Sequence, residues 1–458
     1  MKLLLNTKSL IITSALTLWV SPFLYSQTDV DARIERLESM MMAMQQELST
    51  LKAERDTARE QAANAEAKLE EIAATQEAVL AELEERPAGG ETVKSGPNLP
   101  SGLRIGAYGE HHFGFTNTGT GSQSDVHRFV AFLGYEFADW ISFVSETELE
   151  HGFVNGGNGE IVLEQFYMDF NLHPAANVRV GRALHPAGII NRFHEPTSFY
   201  GVERPTYSAN ILPSTYSIDG IGLWGSITEW LSYEAYVHAG LDGSNFKTSD
   251  GFRSGRLKER PGLESAGVSG RVDIQPLVAA NVEGNVNWRV GASFSSIGVQ
   301  NTNKGVATTA DGDISIIALD TDLNIGPVDI RAEWANVDFS NPATLGGNGS
   351  GLGTIAEEIS GWYVEGALHV FPECMKKGKF EQADLVPFVR YSEINLQDEV
   401  MAGMTPNLAL NTEELTIGVN FYPVSNVVLK ADYIFVDNEA GTATSANNKY
   451  NFGVGYDF

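Results

Sequence analysis

Cysteine, basic charge and long apolar runs are what this sequence has least of. One cysteine, Cys374, in 458 residues excludes an internal disulfide framework and leaves an idle thiol or an intermolecular bond. Only 31 Lys and Arg stand against 59 Asp and Glu, a net charge of -28, so a broad basic footprint for nucleic acid is absent. After the first 25 residues no stretch reaches the ~18 apolar residues that a membrane helix needs. If the chain spans a membrane, it does so with strands. The 46 glycines and 15 tyrosines suit many short strands and turns.

The chain starts MKLLLNTKSLIITSALTLWVSPFLYSQT, with Lys2 and Lys8 ahead of a short apolar core from Ser9 to Trp19 and small Ser26 before a cleavage point. Residues 1–26 therefore read as a secretory signal peptide, and the mature chain is expected to leave the cytoplasm. Residues 29–86 are almost free of Gly and Pro and carry one heptad register. Its first core position holds Ile34, Met41, Leu48, Arg55, Ala62, Leu69, Gln76 and Leu83; its second holds Leu37, Met44, Leu51, Ala58, Ala65, Ile72 and Val79. Such spacing imposes a left-handed supercoil, and a lone helix of this length would leave its seam wet. An α-helical coiled coil that self-associates in the periplasm is expected. PAGGETVKSGPNLPSG, residues 87–102, is a flexible or extended linker.

From Leu103 the period falls from 3.5 to 2. Alternating segments lie at 103–116, 126–137, 141–153, 159–172, 177–186, 216–226, 230–240 and 266–274 in the first half. The second half has 286–299, 311–324, 328–338, 358–371, 384–395, 412–422, 427–437 and 447–458, making 16. Turns on one side are short: ADW at 138–140, HPAAN at 173–177, TEW at 228–230, GP at 326–327 and PVSN at 423–426, with longer ones near 275–285 and 372–383. Polar loops occupy the other side, among them 187–215, 241–265, 339–357 and 396–411. The pattern predicts an all-β fold, a 16-stranded antiparallel transmembrane β-barrel over 103–458 in the outer membrane, with both chain ends on the short-turn, periplasmic side.

Each strand has two unlike faces. In the first, Leu103, Ile105, Ala107, Phe113 and Phe115 oppose Arg104, Tyr108, Glu110 and His112; in the last, Tyr450, Phe452, Val454, Tyr456 and Phe458 share one parity. Apolar faces would meet lipid, and charged ones a water-filled lumen, because unpaired buried charges are costly and sixteen strands leave room for water. Predicted inward bases are Arg104, Arg128, Arg179, Arg289, Arg331, Arg390 and Lys430. Predicted inward acids are Glu110, Glu136, Glu146, Glu148, Glu150, Asp320, Asp322, Asp329, Glu333 and Asp432. In SETELEH, Glu146, Glu148 and Glu150 lie two apart and form a carboxylate ladder, which would concentrate cations unless neighbouring arginines pair with it. The loop GIINRFHEPTSFYGVERPTYSANILP, 188–213, mixes aromatics with charge at His194, Glu195, Glu203, Arg204 and Tyr207. It is expected to fold against the inner wall and narrow the pore.

NRFHEPTSFYGVER, with RFVAFLGYEFADWISFVSETELEH upstream, IGAYGEHHF in the first strand and the terminal YDF, resembles the outer-membrane porins related to phosphate-selective porins O and P. The resemblance implies a homotrimeric 16-stranded channel whose third external loop folds inward, lodged among outer-membrane lipid and lipopolysaccharide. It implies that Phe458 is an insertion signal read by the barrel assembly machinery. Three barrels would also suit a coiled coil of three helices. The anion-selective relatives use many basic lumen residues; the acids of this chain depart from that, so phosphate specificity does not carry over and a mild cation preference is expected.

Other chemistry is thin. His194-Glu195 is not an HExxH motif, since position 198 is Ser, and His111 and His112 face opposite ways. DGSNFKTSDG at 242–251 has oxygen density but not calcium-loop spacing, so a solvated loop is expected. GGNGSGLGT at 346–354 has no Lys for a phosphate cradle. No catalytic set, metal site or cofactor is indicated. The functional expectation is an outer-membrane porin for passive diffusion of small hydrophilic solutes and ions. Alternatives are a tether in which the coiled coil links the outer membrane to the cell wall with the barrel as anchor, and a phosphate- or anion-selective channel. The lysines of KKGK (376, 377 and 379) fall on the short-turn rim, where lipid headgroups, peptidoglycan or nothing would meet them.

Overall fold

The computed structural model describes residues 102–458 except 117–120, 153, 155–158, 281, 283, 285, 303–307, 347–354 and 444–446, together with scattered helical positions between Glu38 and Lys52. The expected signal peptide, the expected linker up to residue 101 and most of the heptad register lie outside the described residues. No described helix is long and apolar enough to cross a membrane.

Sixteen strands follow one another: β1 (Leu103–Thr116), β2 (Gln123–Ala138), β3 (Ile141–Glu150), β4 (Ile161–His173), β5 (Ala176–Leu184), β6 (Ser217–Thr228), β7 (Leu231–Ala239) and β8 (Ala266–Ile274). Then come β9 (Val286–Gly298), β10 (Asp313–Ile325), β11 (Val328–Phe339), β12 (Glu358–Leu368), β13 (Asp384–Glu399), β14 (Asn411–Val424), β15 (Val427–Asn438) and β16 (Lys449–Asp457). Every strand pairs antiparallel with its neighbours in sequence, and β1 pairs with β16 to close the barrel. Phe458 extends that seam: its N–H donates to Ala107 O and its carbonyl accepts from Ala107 N, while its ring is exposed. The short turns all lie on one rim, which also holds Leu103 and Phe458.

Alternation explains the closure. Ile105, Ile317, Leu319, Ile330, Trp334, Leu429, Phe435 and Phe452 are exposed on the outside, while Glu333, Lys430 and Asp432 between them are buried inside. An apolar belt of this extent far exceeds the patches a soluble monomer leaves bare; it suits hydrocarbon.

Two irregularities break the period. Glu110 pairs with Arg128 but His111 pairs with Val126, leaving His127 as an extra residue in β2. Likewise Glu146 pairs with Gln165 and Thr147 with Leu163, leaving Glu164 extra in β4. Each is a β-bulge, which re-aims a side chain at the cost of one ladder position. The result is two consecutive inward residues, His127 with Arg128 and Glu164 with Gln165, flanked by exposed Val126, Phe129, Leu163 and Phe166.

The lumen is not the uniformly water-filled space that the alternation predicts. On the β9–β13 side its long-loop half is lined by Ile297, Ile314, Ile316, Val337, Ile359 and Ile394, all fully buried. They pack with Tyr207 and Ile211 from the loop after β5 and with Phe246 and Phe252 from the loop after β7. The second loop, read from sequence as solvated, is therefore drawn inside by its two phenylalanines.

Close approach fixes one spot beneath these loops. Gly181 sits opposite Gly220 at φ +132, and a Cβ on it would meet Phe166 O at 2.2 Å. Gly181→Val should destabilise the folded barrel by roughly 1–3 kcal/mol, the cost of overpacking, visible as a lower urea midpoint in detergent micelles. An unchanged midpoint would mean that β4 gives way freely.

Candidate functional site

The connection between β5 and β6, residues 185–216, crosses the lumen and is held at both its base and its tip. At the base, Asn191 Nδ2 donates to His185 O at 2.8 Å and Asn191 Oδ1 accepts from Tyr216 N at 2.7 Å, tying the two ends together. At the far wall, Lys430 Nζ donates to Phe199 O (2.9 Å) and Gly201 O (2.8 Å) and lies 3.7 Å from the centre of the Phe199 ring. Val202 N–H donates to Asp432 Oδ2 at 2.6 Å, and Arg390 Nη1 to Tyr200 O at 3.3 Å. Arg331 reaches Ser198 O at 2.7 Å, and Tyr200 OH donates to Asp329 at 2.6 Å. Charge-assisted bonds of this kind are roughly twice as strong as neutral ones. Gly201 turns with φ +89 where the chain presses on Arg390.

The expected constriction residues divide. His194 and Tyr207 are buried, 2% and 0% exposed, so they anchor the loop instead of lining water; Tyr207 meets Tyr363 edge-on. Glu195 is half-buried. Glu203 accepts from His112 Nδ1 at 2.8 Å. Burial pushes its carboxyl up, but the His112 ring overcomes this and holds it at about 2. Arg204 donates to His194 O at 3.0 Å.

Two cavities flank the loop. One of 450 Å³ opens toward the long loops, and one of 580 Å³ toward the short turns. The first is lined by Glu110, Glu148, Glu150, Glu160, Glu164 and Glu203 against Arg128, Arg182, Arg204, Arg253, Arg256 and Lys258. The signs balance, but the pairing does not. Arg128 bonds Glu110 (2.7 Å) and Glu148 (3.0 Å), Arg182 bonds Asp219, and Lys258 bonds Glu160. Among the described residues Arg204, Arg253 and Arg256 have no carboxylate within ion-pair distance. Backbone carbonyls hold them instead: Ala209 O at 3.4 Å for Arg253, and Thr215 O at 2.9 Å for Arg256. Burial, reinforced by the neighbouring Arg253, lowers Arg256 to about 10, which still leaves it charged at neutral pH.

The carboxylate ladder has the expected register, but it is not a bare wall. Glu146 is held by Gln165, Glu148 is paired to Arg128, and Glu150 remains on the cavity surface. Arg104 pairs with Glu136 at the exposed short-turn rim, far from the loop. Arg179 grips Asp169 at 2.8 Å and stacks 4.0 Å from the Tyr167 ring; Arg331 pairs with Asp322 and Arg390 with Glu365. Glu333 accepts from Tyr363 OH at 2.6 Å and faces the loop at Ile190 N. Sequence reasoning missed Arg271, buried between Asp273 and Asp320 at 2.6 Å each. Exposed Val268 and Val272 around it carried the signal. It also gave no metal site. Yet the two bulges help to assemble three sets whose ligand atoms lie within 4.8 Å of one another: His112, His127 and Glu203; Asp125, His127 and His151; Glu146, Glu164 and His194. His111 is not among them and bonds Ser124 instead.

Residues 107–458 match the family described as phosphate-selective porin O and P. An uncharacterized protein of Aquifex aeolicus strain VF5 is 30% identical over 355 residues, covering 74% of this chain and 77% of that one. Among solved structures, OmpF of Salmonella typhi in complex with daunomycin is 15% identical with a TM-score of 0.50, covering 78% of this chain and 97% of that one. The outer membrane channel DcaP of Acinetobacter baumannii is 13% identical, also with a TM-score of 0.50 and the same coverage. At these identities the two structures speak to the fold alone.

Proposed function

The chain belongs to the family of phosphate-selective porin O and P, and from that premise we propose that it is a sieving outer-membrane porin. Small hydrophilic solutes and ions pass between the two cavities under the control of the loop at 185–216. The observation that carries this reading is the clamp of Lys430, Arg390 and Asp432 on four successive loop residues, 199–202. A loop held so firmly across a lumen sets a fixed aperture, whereas a loop that merely capped the barrel would need no wall charges beneath it.

Purified protein added to a planar bilayer should give stepwise conductance increments. A barrel that inserts but passes no current would leave the tether reading, in which the coiled coil at 29–86 binds the cell wall. The chain is read as a homotrimer, with the coiled coils bundled in the periplasm and Phe458 as the insertion signal. Native mass spectrometry of the detergent complex checks the first of these: three chains are expected, and a monomer would refute it.

A specific feature also supports an anion-favouring second reading. Arg204, Arg253 and Arg256 have no described carboxylate within ion-pair distance, in a cavity whose six acids and six bases balance only when these three are counted. On this reading the mild cation preference expected from the glutamate ladder gives way to weak anion preference.

A further inference from the structure

We propose that Glu146, Glu164 and His194 bind one divalent transition-metal ion, of the zinc or manganese kind, which fastens the constriction loop to the β3–β4 wall. The three side chains come from three elements, and their residues are 4%, 1% and 2% exposed. Glu164 points there only because the bulge in β4 turns it inward.

His194 Nε2 lies 3.6 Å from Glu146 Oε1 and 3.8 Å from Glu164 Oε2. Those gaps are too long for hydrogen bonds. They are near the separation of two ligands on one metal, since bonds of ~2.1 Å diverging by ~110–120° leave donors about 3.4–3.6 Å apart. His194 Nε2 and Glu164 Oε2 have no hydrogen-bond partner, and buried polar atoms without one are uncommon and expensive.

The surroundings are those of an oriented ligand set. His194 Nδ1 meets Asn191 O at 3.2 Å, which directs the lone pair of Nε2 into the gap. The outer oxygen of Glu164 accepts from the Thr215 hydroxyl and that of Glu146 from the Gln165 amide, leaving the inner oxygens facing His194. Metal-binding histidines and carboxylates are held by such outer bonds. One imidazole and two carboxylates suit a borderline ion and are too few oxygens for calcium. Arg204, bonded to His194 O, opposes a cation here, while Glu148 beside Glu164 favours one. Without metal, the available neutraliser is a proton on His194, which these carboxylates favour against its burial.

The test uses full-length protein in detergent, stripped with a chelator, loaded with Zn²⁺ and desalted before metal counting. His127→Asn is included throughout, to silence both other sets, each of which contains His127. One zinc per chain and a raised unfolding temperature are expected. Glu164→Gln and His194→Gln should lose the ion, weakening binding by more than the roughly 10–100-fold of an outer-shell change. Should both fail to fold, Gln165→Leu leaves all three ligands in place and is expected to fall within that range. A stripped protein that takes up no stoichiometric zinc, or folded variants that hold it as tightly, would overturn the site. The readout is metal content, so it does not depend on whether the barrel conducts.

Discussion

Replacing Lys430 with methionine should raise the single-channel conductance and make the open state noisy. Lys430 is buried, and its ammonium group serves two carbonyls of the loop tip, Phe199 O and Gly201 O. A hydrogen bond to a charged group is worth about 1.5–3 kcal/mol, and a stranded buried carbonyl costs a comparable amount. Methionine keeps the volume and removes both bonds, so the clamped loop loses several kcal/mol relative to a loop that swings free. Asp432→Asn should be milder, because an amide oxygen can still accept from Val202 N. The wall strands keep their ladder in both variants, so the barrel should still show heat-modifiable migration in gels. Equal conductance in wild type and Lys430→Met would show that the loop at 185–216 does not set the aperture.

The positions of the strands were legible because two signals coincide along this chain. Period-two alternation marks each strand, and turns such as GP at 326–327 or ADW at 138–140 mark where it reverses. Glu333, Lys430 and Asp432 are buried between exposed apolar neighbours, whereas Arg104 and Glu136, which the same alternation predicts to face inward, are exposed at the rim. What period two could not show is where it fails. His127 and Glu164 face inward only through bulges, and a bulge leaves no residue type that announces it. The dry half of the lumen was hidden for a related reason. In ISIIAL of β10, Ile314 and Ile316 face inward while Ile317 and Leu319 face outward, and an isoleucine looks the same whether lipid or a folded loop covers it. Likewise Phe246 and Phe252 stand in a loop otherwise rich in Asp, Ser and Gly, where polarity masked the two anchors. The candidate site suffered most, because the effect of a charge depends on its partner. Glu146, Glu148 and Glu150 are a ladder by spacing, but only the fold reveals that Arg128 and Gln165 hold two of them.

That distinction between paired and unpaired charge makes the selectivity testable. Neutralising Arg204, Arg253 and Arg256 together to glutamine should move the cation-to-anion permeability ratio several-fold toward cations, read as the reversal potential across a salt gradient. Their carbonyl partners fix them in place without cancelling their charge, and low-dielectric walls focus the field of such groups on the ions that pass. Glutamine preserves a donor for each carbonyl, so the change isolates charge. The effect should shrink at high salt, since the screening length falls from about 10 Å at 0.1 M to about 3 Å at 1 M. Glu150→Gln should move the ratio the opposite way, because that carboxylate lines the same cavity and has no ion-pair partner among the described residues. Removing the Lys258–Glu160 pair as a double neutral variant should leave it unchanged. If the triple arginine variant keeps the wild-type reversal potential while Lys430→Met still raises conductance, the loop governs size and the arginines govern nothing that passes.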